Sequence, residues 1–283
     1  MIVFLLILTL MSSVTQNCLF NKVSKKDLKT SNHIYYFNTC ISLVCILLFG
    51  AMLLKGTLSL FTVLLGVIFG VMTALRNVYN MQALANGPMN ITLLITTSST
   101  IIPTLSGIFF GEQFSVVKLV FVFILIGFIY ISLECDKNSG INKKWFIFAM
   151  LTFISQGLVG VLQKVHQASA YKEEASGFLF IAFIIAYIYN RFRVGGNVKE
   201  LCFKRKHIFW AAICGLCTFC MNFLNLKLAG ILPSQLFFPL VNGGSMVLSQ
   251  IMSVIIFKEI PSKKQVIGLV GGICSLIAIC IIK

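Results

Sequence analysis

Carboxylates are scarce in this chain, and charge of either sign is thin. Eight Asp and Glu stand against 23 Lys and Arg in 283 residues, and charged residues make up 11% of the total. All eight acids (Asp27, Glu112, Glu134, Asp136, Glu173, Glu174, Glu200, Glu259) stand at or beyond the ends of apolar runs. A buried carboxylate that trades a proton for an organic cation is therefore not expected. Glu173-Glu174 is the only acidic pair, and it has no His, Asp or Ser partner at motif spacing. That argues against a membrane-embedded lipid-modifying enzyme, which needs such a cluster for Mg²⁺ or acid–base work. No H-E-x-x-H, nucleophile elbow or P-loop is present, and His33, His166 and His207 form no relay. The chain reads as a non-enzyme without cofactor or metal. Ten cysteines make no disulfide framework. Cys214-x-x-Cys217-x-x-Cys220 imitates a cluster spacing but has no fourth ligand nearby and sits in apolar sequence, where packing is the better reading.

What the chain has is apolar sequence: 58% hydrophobic residues and a mean hydropathy of +0.95. A soluble domain of this length could not hide that much in one core, whereas a bilayer can take the place of the core partner. A helix needs about 20 mostly apolar residues to cross about 30 Å of hydrocarbon. Runs of that kind fall near 2–20, 34–54, 58–84, 88–111, 115–133, 144–164, 175–191, 208–230, 233–257 and 265–282. They do not alternate as barrel strands would. The expected fold is an all-α polytopic membrane protein of ten transmembrane helices. The linkers are too short to hold a soluble domain, and the first run lacks the basic start and small-x-small site of a cleaved signal.

A signature recurs about half the chain apart. Asn77-x-x-Asn80 is followed eight residues later by Pro88, and Asn222-x-x-Asn225 eight residues later by Pro233. Glu112 and Glu259 follow their respective prolines. Leu8-Thr9-x-x-Ser12 reappears as Leu151-Thr152-x-x-Ser155, and Asn21-Lys22-Val23 matches Gln163-Lys164-Val165. Two copies of five spans each, 1–136 and 143–283, must face opposite ways. Such inverted repeats are expected to hold a solute site near the midplane.

The net charge of +15 is spread as topology signals rather than as a nucleic-acid footprint. Grouping alternate loops puts sixteen Lys/Arg on one face and six on the other, with Arg76 inside a span. The positive-inside rule makes the basic loops cytoplasmic and both termini extracytoplasmic in a multi-pass cell-membrane protein. Those loops would lie against anionic lipid.

Ten spans in two halves, each with a proline-broken fourth helix ending in Glu (Gly111-Glu112, Lys258-Glu259), resemble the EamA-like transporters of the drug/metabolite transporter superfamily. Ala83-Leu84-x-x-Gly87-Pro88 and the Gly127 region are similar to that family as well. The resemblance implies a solute permease whose cavity is lined by the third, fourth, eighth and ninth spans. One departure is the uncharged start, with the lysines placed after the first run.

Candidate solute contacts are Arg76, Asn77 and Asn80 on the third span, Asn90 and Thr97 on the fourth, Asn222 and Asn225 on the eighth, and Asn242 and Gln250 on the ninth. Two readings stand for the asparagines: a hydrogen-bonding cavity, or interhelical bonds with no ligand. The Thr96–Thr100 run favours the second. Arg76 either faces the cavity or snorkels to a helix end. Glu112 and Glu259 are expected to brace the turn to the following helix, and Pro88, Pro103 and Pro233 to mark helix stops or flexing points. With Arg76, Lys164 and Lys227 as the available charges, the expected cargo is a small anionic or zwitterionic metabolite, such as an amino acid, moved by alternating access. A lipid-linked-sugar flippase of the same fold is the alternative. The partners are then a small solute and the lipid bilayer, with no nucleic acid.

Overall fold

The computed structural model describes residues 2–26, 31–53, 58–87, 89–113, 115–132, 143–194, 205–257 and 263–282. Pro88 and Glu259 lie outside them, as do Lys29, Lys55, Lys137, Lys199, Lys204, Lys258 and Lys283 of the charge bias. The described residues are all-helical with no strand: α1 (Ile2–Lys26), α2 (Ser31–Leu53), α3 (Leu60–Asn86), α4 (Met89–Ser98), α5 (Ile101–Ser106), α6 (Val116–Ser132), α7 (Lys143–Ala168), α8 (Ala175–Arg193), α9 (Arg205–Ile231), α10 (Ser234–Phe238), α11 (Gly244–Phe257) and α12 (Lys263–Ile281). Among the described residues, six helical segments (within α1, α2, α3, α7 and α9, and Lys172–Arg193 around α8) are long and apolar enough to cross a membrane.

Local chemistry sets the ends of α3. Ser59 caps it by accepting the Thr62 N–H at 3.2 Å, the role in which a hydroxyl satisfies an orphan donor. Glu174 then ties that cap to the start of α8, accepting from Ser59 N at 2.9 Å and Ser59 Oγ at 2.8 Å.

Two helices are broken, each at a proline. Pro103 has no N–H to give the Ser99 carbonyl, and Ile102 N takes that oxygen instead at 3.0 Å. The chain turns at Ser99-Thr100 between α4 and α5, tightens into a 3₁₀ turn over Gly107–Phe110, and stops at Gly111 with φ +70°. In the second half α10 starts at Pro233, whose carbonyl accepts from Leu236 and Phe237. Pro239 then opens a π-helical stretch to Gly243. The stop expected at Pro233 is present, and the break inside this helix belongs to Pro239, which the sequence reading passed over.

The bundle packs α2 on α8, α3 on α7 and α8, α1 and α2 on α9, and α6 on α12. Its apolar centre holds Phe49, Phe69, Phe178, Phe183 and Leu226. A second cluster gathers Phe37, Ile41, Met81 and Leu84. Small residues set the α3–α8 distance. A Cβ on Gly66 would lie 3.1 Å from the Phe178 carbonyl oxygen, and one on Gly70 would collide with that of Ala182. The outer surface exposes large apolar side chains such as Phe4, Leu60, Phe109 and Ile281, as lipid contact requires.

Candidate solute site

Polar side chains from α1, α3, α4, α7, α9, the π stretch and α11 surround one cavity inside this apolar bundle. Its volume is about 90 Å³, room for several waters or one compact solute. Along α3, Arg76, Asn77 and Asn80 fall within about one turn and all three line it. Thr97 of α4, Asn225 of α9 and Asn242 of the π stretch join them. A narrower extension passes Pro103, Gly160, Gln163, Phe237 and Phe238.

Arg76 faces this cavity rather than a helix end and is 8% exposed. Its Nε and Nη2 donate to Asn77 Oδ1 at 3.2 and 2.9 Å, and Nη1 donates to Gln156 Oε1 of α7 at 3.3 Å. Of the five guanidinium N–H groups, these bonds use three and leave one on each Nη. The partners are neutral amides, and no carboxylate is among the described residues lining the cavity. The arrangement is an oriented cation with spare donors in a poorly solvated place, which is what a planar anion binds.

The repeated asparagines separate in role. Asn80 and Asn225 both line the cavity, and the Oδ1 of each is buried without a hydrogen-bond partner. Asn77 orients Arg76. Asn222 turns onto its own helix, giving Nδ2 to the Thr218 carbonyl at 2.8 Å, and is not among the lining residues. Asn90 lies in α4 and Gln250 in α11, with side chains outside the described ones.

The Ser/Thr run divides as well. Ser99 Oγ bonds the Thr96 carbonyl, and Thr100 Oγ1 accepts from Asn242 Nδ2 at 2.9 Å. That last bond joins the two broken helices at their breaks. Asn242→Ala is expected to lower stability by about 0.5–1.5 kcal/mol, seen as a lower melting temperature. An unchanged melt would remove this bond from the account.

Two lysines expected near the solute are elsewhere. Lys227 is exposed, its Nζ 5.0 Å from the centre of the Phe223 ring. Lys164 sits within α7, where it pairs with Glu112 and donates to the carbonyls of Ala229 at 2.8 Å and Leu232 at 3.2 Å. Glu112 in turn accepts the Ser234 N–H at 2.7 Å. It therefore braces α7 and the start of α10, not the turn to the following helix.

The site also holds residues the sequence reading did not name: Ser13, Gln16 and Asn17 of α1, Gln156 of α7, and Ser249 of α11. Gln16 Nε2 donates to Thr218 Oγ1 at 2.6 Å, tying α1 to α9. The signal was the spacing of polar residues three and four apart in otherwise apolar runs: Ser13, Gln16 and Asn17 in the first, Thr152 and Gln156 in the sixth.

No family model matches the chain, and no curated protein matches it. Solved structures do share its fold, with 28 chains matching. One, described as "Crystal structure of protein", is 12% identical and superposes with a TM-score of 0.69 over 96% of this chain and 98% of its own. At that identity the likeness is one of fold.

Proposed function

We propose that this chain is a ten-span secondary transporter of the EamA-like, drug/metabolite type. Two inverted five-helix halves, 1–136 and 143–283, carry a small anionic or zwitterionic solute, such as an amino acid, across the cell membrane by alternating access. The observation that carries the reading is Arg76, a buried cation with two spare donors in a polar cavity between helices of both halves.

The packing supports two equivalent halves. Exchanging them maps α1 onto α7, α2 onto α8, α3 onto α9 and α6 onto α12. Under that exchange α3 lies on α7 and α8 as α9 lies on α1 and α2, while α2–α8 and α6–α12 pair with their own counterparts. The breaks in both halves supply the discontinuous helices that transporters place at a midplane site.

The test is a thermal-shift panel on the purified protein with amino acids, organic acids, sugars and nucleosides. A carried solute at about 100 times its Kd adds about 2.7 kcal/mol to the folded state, a rise of several degrees for a chain of this size. Carboxylate-bearing solutes are expected to shift the melt, and neutral sugars not to. Stabilisation by polyprenyl lipids alone would move the assignment to a flippase.

A further inference from the structure

The Glu112–Lys164 pair stands apart from the solute site and has work of its own. Along α7, Lys164 lies eight residues beyond Gln156, which is about 12 Å at the helical rise of about 1.5 Å per residue. Between them the narrow extension is walled by Pro103, Phe237 and Phe238. Packing there is tight: a Cβ on Gly160 would lie 2.9 Å from Pro103 and 3.1 Å from Phe238. The ion pair follows next. Its side chains are 10% exposed for Lys164 and 16% for Glu112.

Four separate segments meet at this pair. Lys164 belongs to α7, and Glu112 follows the 3₁₀ turn after α5. Lys164 Nζ also holds the Ala229 carbonyl of α9 and the Leu232 carbonyl just beyond it. Those are orphan acceptors at a helix C-terminus, where a cation is favoured. Glu112 Oε2 accepts from Ser234 N, an orphan donor at the start of α10. One lysine and one glutamate thus tie together the ends of the elements that wall the extension. The lysine matching Lys164 in the other half, Lys22, is exposed and lies over the Trp210 ring at 4.7 Å. The two matching lysines are therefore placed differently: Lys164 is tied among the ends of the segments that wall the extension, and Lys22 lies on the surface.

We propose that Glu112 and Lys164 form a latch that holds this end of the cavity closed, and that the latch opens when the solute leaves by that end. The inference rests on the transport reading. The latch is polar where the plug is apolar, so it exchanges for water once the segments part, whereas a fully apolar seal would have no such partner. Opening costs the pair its mutual attraction, and breaking one member leaves the other buried and uncompensated, so the closed state is disfavoured relative to an open, hydrated one.

The test uses the full-length protein with a membrane-impermeant sulfonated maleimide as probe. Gln163→Cys, in the wall of the narrow extension, reports the latch side, and Ser249→Cys, which lines the main cavity but not that extension, reports access from elsewhere, each read above the background of the native cysteines. With Glu112→Gln or Lys164→Met, labelling at position 163 is expected to rise about tenfold or more while labelling at 249 falls. Lys164→Arg keeps the charge and donors and is expected to restore both rates.

Ser234→Pro provides a gentler variant. It removes the backbone N–H that Glu112 accepts and leaves the ion pair with Lys164 in place, at a first helical turn where proline is tolerated. The preceding Pro233 already has the extended ψ of 144° that proline requires of its neighbour. Its labelling is expected to move in the same direction. Unchanged labelling at 163 across these variants would overturn the latch, as would a rise at 163 with no fall at 249, or Lys164→Arg behaving as Lys164→Met. None of these readings uses a solute. A solute that shifts the melt while labelling stays fixed would therefore sink the latch alone, leaving the transport reading in place.

Discussion

Arg76→Leu is expected to remove solute-induced stabilisation while leaving the empty protein at least as stable as before. The two effects have opposite signs because, on the proposed reading, Arg76 is costly without an anion and useful with one. Its charge is buried against neutral amides, Asn77 Oδ1 and Gln156 Oε1, which supply hydrogen bonds but no counter-charge. Replacing a buried charge with an apolar residue of similar volume is often neutral or stabilising. Solute binding loses a two-pronged, charge-assisted contact. At about 1.5–3 kcal/mol for a charged hydrogen bond, the expected weakening is about 100-fold or more. Arg76→Lys keeps the charge but not the planar fork, and is expected to recover only part of the affinity. The check is a melt of each variant with and without the solute that stabilises wild type. An undiminished shift in Arg76→Leu would remove the arginine from the site.

Gly70→Ala is expected to destabilise the protein by about 1–3 kcal/mol, the usual cost of overpacking a filled interior. The added carbon would collide with the Ala182 carbonyl oxygen and lie 2.8 Å from Ile185 Cβ. The first of these is backbone and cannot rotate aside, so α3 and α8 must part. That separation would also loosen the cluster around Phe69 and Phe178, whose rings stand 4.8 Å apart. Gly127 of α6 is the control, because a Cβ there meets nothing within 4 Å. Gly127→Ala is expected to be neutral or to stabilise by about 0.5–1 kcal/mol, since alanine loses less backbone freedom in a helix. Melting temperatures of the pair decide the matter. Equal losses at both positions would mean that helix contact at Gly70 is not what limits stability.

The helical segments and the break at Pro103 were legible because each depends on local sequence: apolar run length, a missing N–H, a glycine stop. Pro239 lies outside the repeated Asn-x-x-Asn/Pro signature, which points to Pro233, although its missing N–H acts by the same rule as that of Pro103. The site was legible only in part. Arg76, Asn80 and Asn225 stood out as polar residues in apolar runs, and all three line the cavity. Gln156 carries the spacing signal with Thr152, but its role lies in its bond to Arg76, 80 residues away in sequence. Lys164 was misjudged for the same reason. Its partner Glu112 belongs to the other half, and nothing in the neighbourhood of either residue announces the pairing. Asn222 shows the converse limit, because a repeated motif preserves residue type while one copy turns its side chain onto its own backbone.

The lone guanidinium has an electrical consequence. The voltage across an energised membrane acts on any charge whose surroundings switch from one aqueous phase to the other, at about 2.3 kcal/mol per elementary charge per 100 mV for full traversal. With no carboxylate among the described residues lining the cavity beside Arg76, the unloaded form of the proposed carrier presents one positive charge there. A monoanion would cancel it, so only the unloaded half of the cycle would feel the field. A zwitterion would leave it in place, and both halves would feel the field equally. On the proposed transport reading, whether voltage acts on one half-cycle or equally on both is thus tied to the net charge of the solute, and a current record could read that charge before the molecule is known.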